Sequence, residues 1–297
     1  MKLPSMTISR PERAYLFFLL PSALVVAVVL LFPLGYAVYL SFFRYFMGGE
    51  DPAFIGLANY TTLLSDVRTL WALVHTLVIV VASVALQFTL GFVLAYGMFR
   101  LTRGGGVAAT LNFIPHIVTP VVGALFMKWM FAGRWGLIDG LLTSVGITPP
   151  NWLGDPAWAM ATVILADTWR FAPFMTLVLY AGLQAMDQSI LEAAAVDGAG
   201  GWAMIYRVIL PALKPIILFV LAIRTMDAVR YFDIIYVLTG GGPGTATETM
   251  TTYTYVLGFR ALEIGKASAL GVLTLALILL MMTGLISWIY RRERGNF

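Results

Sequence analysis

Long apolar runs separated by short polar islands set the pattern of this chain. Six runs approach or exceed the roughly 20 residues that a bilayer core requires: Ala14–Leu40, Trp71–Phe99, Val107–Phe131, Ala157–Gly182, Ala212–Leu238 and Ala267–Tyr290. Lipid offers an open chain no partner for backbone N–H and C=O groups, so each run is expected to be a helix. The fold class is therefore all-α, a polytopic membrane protein with six transmembrane helices. Lys2, Arg10 and Arg13 precede the first run. That run is longer than a signal-peptide core and ends at no small-residue cleavage site, so it reads as a retained span. Pro21, Pro33, Pro115, Pro120 and Pro173 lie inside runs and predict kinks, because each removes a backbone donor. Pro173 frees the carbonyl of Trp169, next to Arg170. No repeat, low-complexity tract or second domain interrupts the pattern, and residues 1–297 read as one transmembrane domain.

The polar islands carry the orientation. One set of connections holds Lys2, Arg10, Arg13, Arg100, Arg103, Arg207, Lys214, Arg291, Arg292 and Arg294; the other holds Arg44, Arg68, Arg134, Arg260 and Lys266. Basic residues favour the cytoplasmic side, which puts both termini and the island at 185–211 in the cytoplasm. Trp129, Trp135, Trp152 and Trp158 gather near the expected outer face, Trp288 and Tyr290 near the inner one, as interfacial anchors do.

Composition narrows the function. Only 11% of residues are charged and 60% are hydrophobic, so the net charge of +4 reflects cytoplasmic bias rather than nucleic-acid binding. With no cysteine, structural disulfides and thiolate metal sites are excluded, and two histidines, His75 and His116, in different spans make no metal site. No nucleophile stands beside a base in the pattern, which argues against a membrane-embedded enzyme.

The island from Glu192 to Pro211 is unlike a simple hairpin loop. Glu192, Ala193 and Ala194 favour a helix whose small residues permit close approach. Gly198 suits a left-handed turn, with Ala199, Gly200 and Gly201 following. Trp202, Ile205 and Tyr206 then form an apolar, aromatic knob at helical spacing. Pro211 fits the first turn of the fifth span. An amphipathic linker lying on the membrane is the plainer alternative. A second island, Phe232-Asp-Ile-Ile-Tyr-Val-Leu-Thr-Gly-Gly-Gly-Pro-Gly244, ends the fifth span on the outer side. Its Gly240, Gly241, Gly242 and Pro243 lack the Gly-Lys-Ser/Thr of a phosphate loop, so an external loop that touches a binding protein or closes the pathway fits better.

Together these islands resemble those of membrane subunits of binding-protein-dependent ABC importers of carbohydrates, the maltose F-type and glycerol-phosphate A-type permeases. The first resembles the "EAA" loop of such subunits, with Val208 a small departure where Ile is commoner. The resemblance implies an ABC type I importer permease fold in a bacterial or archaeal inner membrane. It implies four kinds of partner: a second homologous permease, two ATPase subunits, a periplasmic or lipid-anchored solute-binding protein, and a sugar-like solute. The chain itself is then no enzyme and carries no cofactor; ATP and Mg belong to the ATPase. Glu192 would meet a basic residue there, and Gly198–Tyr206 would be the coupling helix that rocks the spans between inward and outward states.

Charges inside the spans remain. A charge at mid-bilayer costs at least roughly 2.5 kcal/mol, so Asp167, Arg170, Arg224, Asp227 and Arg230 should face protein or a water-filled path. Arg224, Asp227 and Arg230 recur every third residue, with Tyr231 four after Asp227, and could share one face. Two readings stay open: these groups line the substrate path and grip hydroxyls or an anion, or they pair with one another and hold helices together. Their number motivates the hypothesis of a substrate with a phosphate, sulfonate or carboxylate; equal loss of neutral and anionic sugar uptake on replacing each Arg by Gln would sink it. Asp233 reads as structural, and Gln87 and Asn112 as polar glue between helices. The rival function is a secondary transporter of a polar solute, which would use coupling-ion ligands in paired broken helices and leave the Glu192 island without a role.

Overall fold

The computed structural model describes residues 10–49, 51–101 and 103–294. Lys2 and the side chains of Arg10, Arg13, Trp288, Tyr290, Arg291, Arg292 and Arg294 lie outside what it describes. The first helix, α1, runs from Arg10–Val26 through a π-helical turn at Ala27–Leu31 into Phe32–Leu40. Short α2 (Ala58–Ser65) leads into α3 (Val67–Phe99). Next come α4 (Gly105–Ile117), α5 (Pro120–Met130), α6 (Leu137–Ser144) and α7 (Pro156–Gln184). The chain continues through α8 (Gln188–Val196), α9 (Gly201–Ala212) and α10 (Lys214–Val229). It closes with α11 (Asp233–Leu238), α12 (Met250–Tyr255) and α13 (Ile264–Arg294).

The expectation of helices throughout needs one small correction. Strands Phe43–Arg44 and Ala53–Phe54 pair antiparallel after α1. This hairpin sits on the start of α13: Phe46 bridges Glu263 and Gly265 donates to the Tyr45 carbonyl at 3.2 Å. Any Cβ at Gly265 would stand 2.0 Å from the Phe43 carbonyl oxygen, so only glycine permits this approach.

Among the described residues, four helices are long and apolar enough to cross a membrane, and up to six crossings result if each bent pair counts as one. The run expected as one helix over Val107–Phe131 is instead α4 and α5 at 90°. Thr119 is extended, with ψ of 146°, because the ring of Pro120 disfavours helical backbone at the residue before it, and Val118, with ψ of 135°, is extended as well. The run expected over Ala212–Leu238 is also divided. It begins at Lys214 after a 71° bend, and Arg230 to Phe232 separate α10 from α11. Pro211 therefore does not open the fifth span; it lies in the last turn of α9, and Pro215 takes the first turn of α10. Pro33 and Pro211 each follow a π turn whose closing N–H reaches back five residues, from Phe32 to Ala27 and from Leu210 to Ile205. The widened turn accommodates a ring that would clash with a regular α-helical carbonyl. By contrast, α7 continues through Pro173.

The packing centre is the long contact between α3 and α7. Gly91 on α3 lets the backbones meet: a Cβ there would stand 2.6 Å from the Met175 Cβ. Around it, Val84, Met175, Leu179, Leu183, Leu213 and Val220 join α3, α7 and α10 in one buried cluster. A second cluster near α5 and α11 buries Trp152, whose indole N–H donates to the Asp139 carboxylate at 2.7 Å. Trp152 is thus a core residue and not the interfacial anchor expected of it, whereas Trp129, Trp135 and Trp158 stay exposed. The apolar side chains of α1 from Phe18 to Tyr39 are largely exposed.

Candidate functional site

The connection between α7 and α10 projects a defined surface. The Asp187 carboxylate accepts the Ser189 N–H at 2.9 Å and caps α8, and that hydrogen bonding holds its carboxyl below the ordinary value. At the other end, Ala199 donates to the Ala194 carbonyl at 2.9 Å while Gly198 adopts φ +82°. This is a left-handed helix stop that a side chain would strain. The chain turns there and enters α9. Glu192, Ala193, Gly198 and Pro211 are exposed; Ala194 and Ala199 are half-buried. Trp202 and Tyr206 stack with centroids 5.7 Å apart, yet are 73% and 63% exposed. A solvent-facing aromatic pair on a hydrogen-bonded turn is a surface made for contact.

Inside the bundle, three helices meet through a closed polar triad. The Arg224 Nε donates to the Gln87 Oε1 at 2.8 Å, and its Nη2 to the Asp167 Oδ2 at 2.5 Å. Gln87 Nε2 closes the ring by donating to the same carboxylate oxygen at 2.8 Å. All three side chains are buried, Arg224 completely. The guanidinium also lies 3.9 Å from the Phe171 ring centroid. Internal pairing therefore accounts for Arg224 and Asp167, and Gln87 serves as the polar glue expected of it.

Arg170 sits one turn along α7 from Asp167 and does something different. Its Nη1 donates to the Val118 carbonyl, which the 90° break between α4 and α5 leaves without a helical partner. The Arg170 carbonyl in turn lies 3.2 Å from the Nδ1 of His116. Arg170 thus ties α7 to the break. Tyr231, in the gap between α10 and α11, crosses Phe171 edge-on at 5.4 Å. Several buried atoms here have no partner: Arg170 Nε, Arg224 Nη1, Tyr231 OH and Asp167 Oδ1.

The proposed common face of Arg224, Asp227 and Arg230 does not form. Arg224 points into the triad, whereas Arg230 lies beyond the end of α10 and pairs with Asp227 toward the surface. Their side chains are 63% and 30% exposed. The i+3 spacing misleads because the helix ends at Val229. Arg230 borders an apolar groove of about 690 Å³ between α1 and α13, lined also by Leu34, Phe232, Tyr255 and Phe259.

The glycine-rich island is pinned rather than loose. Gly240, Gly241 and Gly244 all have positive φ, and the Thr247 hydroxyl donates to the Gly242 carbonyl at 2.8 Å. Pro243 follows in the same half-buried turn. Just beyond it, buried Glu248 receives Arg68 at 2.7 and 2.8 Å, and the Met250 N–H donates to the Thr76 hydroxyl at 3.0 Å. Both bonds fasten the island to the first turns of α3. The Glu248–Arg68 pair, the Asp139–Trp152 bond and Phe171 were not singled out in the sequence. The Arg68–Glu248 and Arg224–Phe171 contacts join residues far apart along the chain, and Asp139 and Trp152 meet across a connection between spans, so no local periodicity points to any of them.

Residues 13–295 match the family model described as the binding-protein-dependent transport system inner membrane component. The chain is 37% identical to the trehalose/maltose transport system permease protein of Thermococcus litoralis, over 88% of both chains. It is 36% identical to the sn-glycerol-3-phosphate transport system permease protein of Brucella suis, over 91% of this chain and 92% of that one. Among solved structures it is similar to a bacterial ABC transporter involved in the import of the acidic polysaccharide alginate. There the TM-score is 0.81 at 25% identity, over 94% of this chain and 96% of the other.

Proposed function

We propose, since the chain belongs to the family of binding-protein-dependent transport system inner membrane components, that it forms half of the translocation path of an ATP-driven importer of a sugar or sugar derivative. Relatives named for trehalose, maltose and glycerol phosphate support the solute class. In this reading the chain is a single non-catalytic permease domain over 1–297, with a cytoplasmic loop at 185–211. It crosses the inner membrane of a bacterium or archaeon six times, through α1, α3, the α4–α5 pair, α7, α10 and α13, with both termini in the cytoplasm. Its partners are a second permease, two ATPase subunits that hold ATP and Mg, and a solute-binding protein outside.

The observation that carries this reading is the exposed α8–α9 surface. Glu192, Ala193, Ala194, Gly198, Ala199, Trp202, Tyr206 and Pro211 form the coupling element. The stacked Trp202–Tyr206 pair is its knob and Gly198 its corner. ATP-driven closure of the ATPases moves this element. α10, joined to it at Leu213, and the triad that ties α10 to α3 and α7 carry the movement into the path. In this reading Asp167, Arg170, Arg224 and Tyr231 line the path. Asp227 and Arg230 stand at its side, and the Gly240–Pro243 turn closes the outer end.

Trp202→Ala tests the reading in proteoliposomes holding the complete importer. The variant should keep the folded chain, because the ring is exposed, and lose most ATP-driven uptake through loss of the ATPase. Undiminished uptake with the ATPase still bound would count against α9 as the coupling element.

A further inference from the structure

The buried polar cluster holds donors without acceptors and one positive charge without a counter-charge. Arg224 is balanced by Asp167 and Arg230 by Asp227. Among the described residues, no carboxylate stands within ion-pair distance of Arg170, which is 8% exposed. Its partner is a neutral carbonyl, that of Val118, and its Nε has none. Two further unpartnered groups stand at the same ring: Phe171 has the Arg170 guanidinium 5.5 Å from its centroid, that of Arg224 3.9 Å away, and Tyr231 edge-on. Arg224 Nη1 is buried and unpaired, as is the acceptor Asp167 Oδ1, and the buried Tyr231 hydroxyl has no acceptor. An uncompensated buried cation is costly unless something negative joins it, and a buried donor unmatched by an acceptor adds to that cost.

We infer that Arg170 is the specificity-determining residue for a monoanionic solute, a sugar bearing one carboxylate or sulfonate. The Val118 carbonyl oxygen holds the place of the anion's oxygen, and the arriving group takes the guanidinium over from it. Arg170 Nε, Arg224 Nη1 and the Tyr231 hydroxyl then gain acceptors, and the net charge of the cluster falls from +1 to zero. A phosphate monoester carries about two charges at neutral pH and would bury one of them uncompensated. The inference rests on the importer reading above. It relocates the preference for an anion from Arg224 and Arg230, which are paired internally, to Arg170.

The complete importer with its binding protein, in proteoliposomes with ATP inside, is offered glucuronate, 6-sulfonated glucose, glucose 6-phosphate and trehalose. Accumulation of glucuronate or the sulfonated sugar in preference to the other two is expected. Arg170→Gln keeps a donor for the Val118 carbonyl but loses the charge, so it should raise KM for the anion at least about tenfold with kcat little changed. Arg170→Lys, which keeps the charge, should stay within a few-fold of wild type. Preferred accumulation of trehalose or of glucose 6-phosphate overturns the inference. So does a loss of kcat for every solute in both variants, because that is the signature of a latch on the helix break. Accumulation of none of the four, with ATPase turnover still stimulated by the binding protein, overturns the inference alone; a complex whose ATPase the binding protein never stimulates overturns the importer reading itself.

Discussion

Asp167→Leu removes the carboxylate that faces Arg224 and leaves a guanidinium with no exposed side-chain surface in the middle of the bundle. Arginine cannot shed its proton, so the charge has no escape except to drag water in or pull its helix away. Breaking a buried pair this way costs about 3–5 kcal/mol. Arg224→Met should cost less, about 1–3 kcal/mol, because a lone carboxyl can take up a proton and Gln87 still donates to its Oδ2 at 2.8 Å. The double variant Asp167→Leu/Arg224→Met replaces both charges by apolar groups and should fall within about 2 kcal/mol of wild type. The two single costs together exceed the double by at least about 2 kcal/mol, far outside the scatter of independent sites. Detergent titration of the purified chain, following unfolding of all three variants, measures the cycle. Additivity within about 0.5 kcal/mol would refute the triad as the tie between α3, α7 and α10.

At the outer end, Arg68→Gln strands the buried Glu248 carboxylate and should cost about 2 kcal/mol, whereas Glu248→Gln leaves Arg68 to solvent and should cost about 1 kcal/mol; equal losses would contradict the burial difference. Burial pushes the Asp66 carboxyl up, but hydrogen bonds from the Arg68 N–H, the Tyr253 hydroxyl and Thr69 outweigh it and hold it below its ordinary value of 3.8. Its contribution is therefore present at neutral pH and is lost as the pH falls through the ordinary carboxylate range to the lower folded value. Asp66→Asn should flatten that acid limb in a stability-versus-pH series, and an unchanged slope would show the capping bonds to be inert. Trp152→Phe keeps the ring packing but removes one of the two donors to the buried Asp139 carboxylate, the other being the Arg134 N–H. A loss of about 1–2 kcal/mol in thermal melts is expected, against none if Trp152 were only an interfacial anchor. Gly91→Val forces a Cβ against Met175 at the closest approach of α3 and α7 and should cost at least about 1–3 kcal/mol, read as a fall in the yield of monodisperse chain.

What the sequence reveals here follows the range of each interaction. The α8–Gly198–α9 corner is legible because its causes are local: small residues, then a glycine where the backbone must turn left-handed; the Asp187 cap shows only in the structure. The apolar runs are legible for the same reason. Their interruptions are only half so. Pro120 and Pro173 look alike in sequence, yet the first opens a new helix after a break and the second lies within one. The difference lies in tertiary support: Arg170 holds the Val118 carbonyl at the break, while buried neighbours pack around Pro173. Partners of the intramembrane charges are the least legible. Periodicity groups Arg224 with Asp227 and Arg230, but Arg224 finds its counter-charge on another helix, 57 residues away. Trp152 illustrates the same limit, since a tryptophan near a span end reads as an anchor until Asp139 is seen beside its indole.

Co-purification of the tagged chain from its native membrane, with partners counted by mass spectrometry, tests the central claim most directly. The account predicts stoichiometric recovery of one kind of ATPase and of a second permease of the same family, and loss of the ATPase alone with Trp202→Ala. Recovery of the chain alone, under conditions that keep a control importer intact, would contradict it.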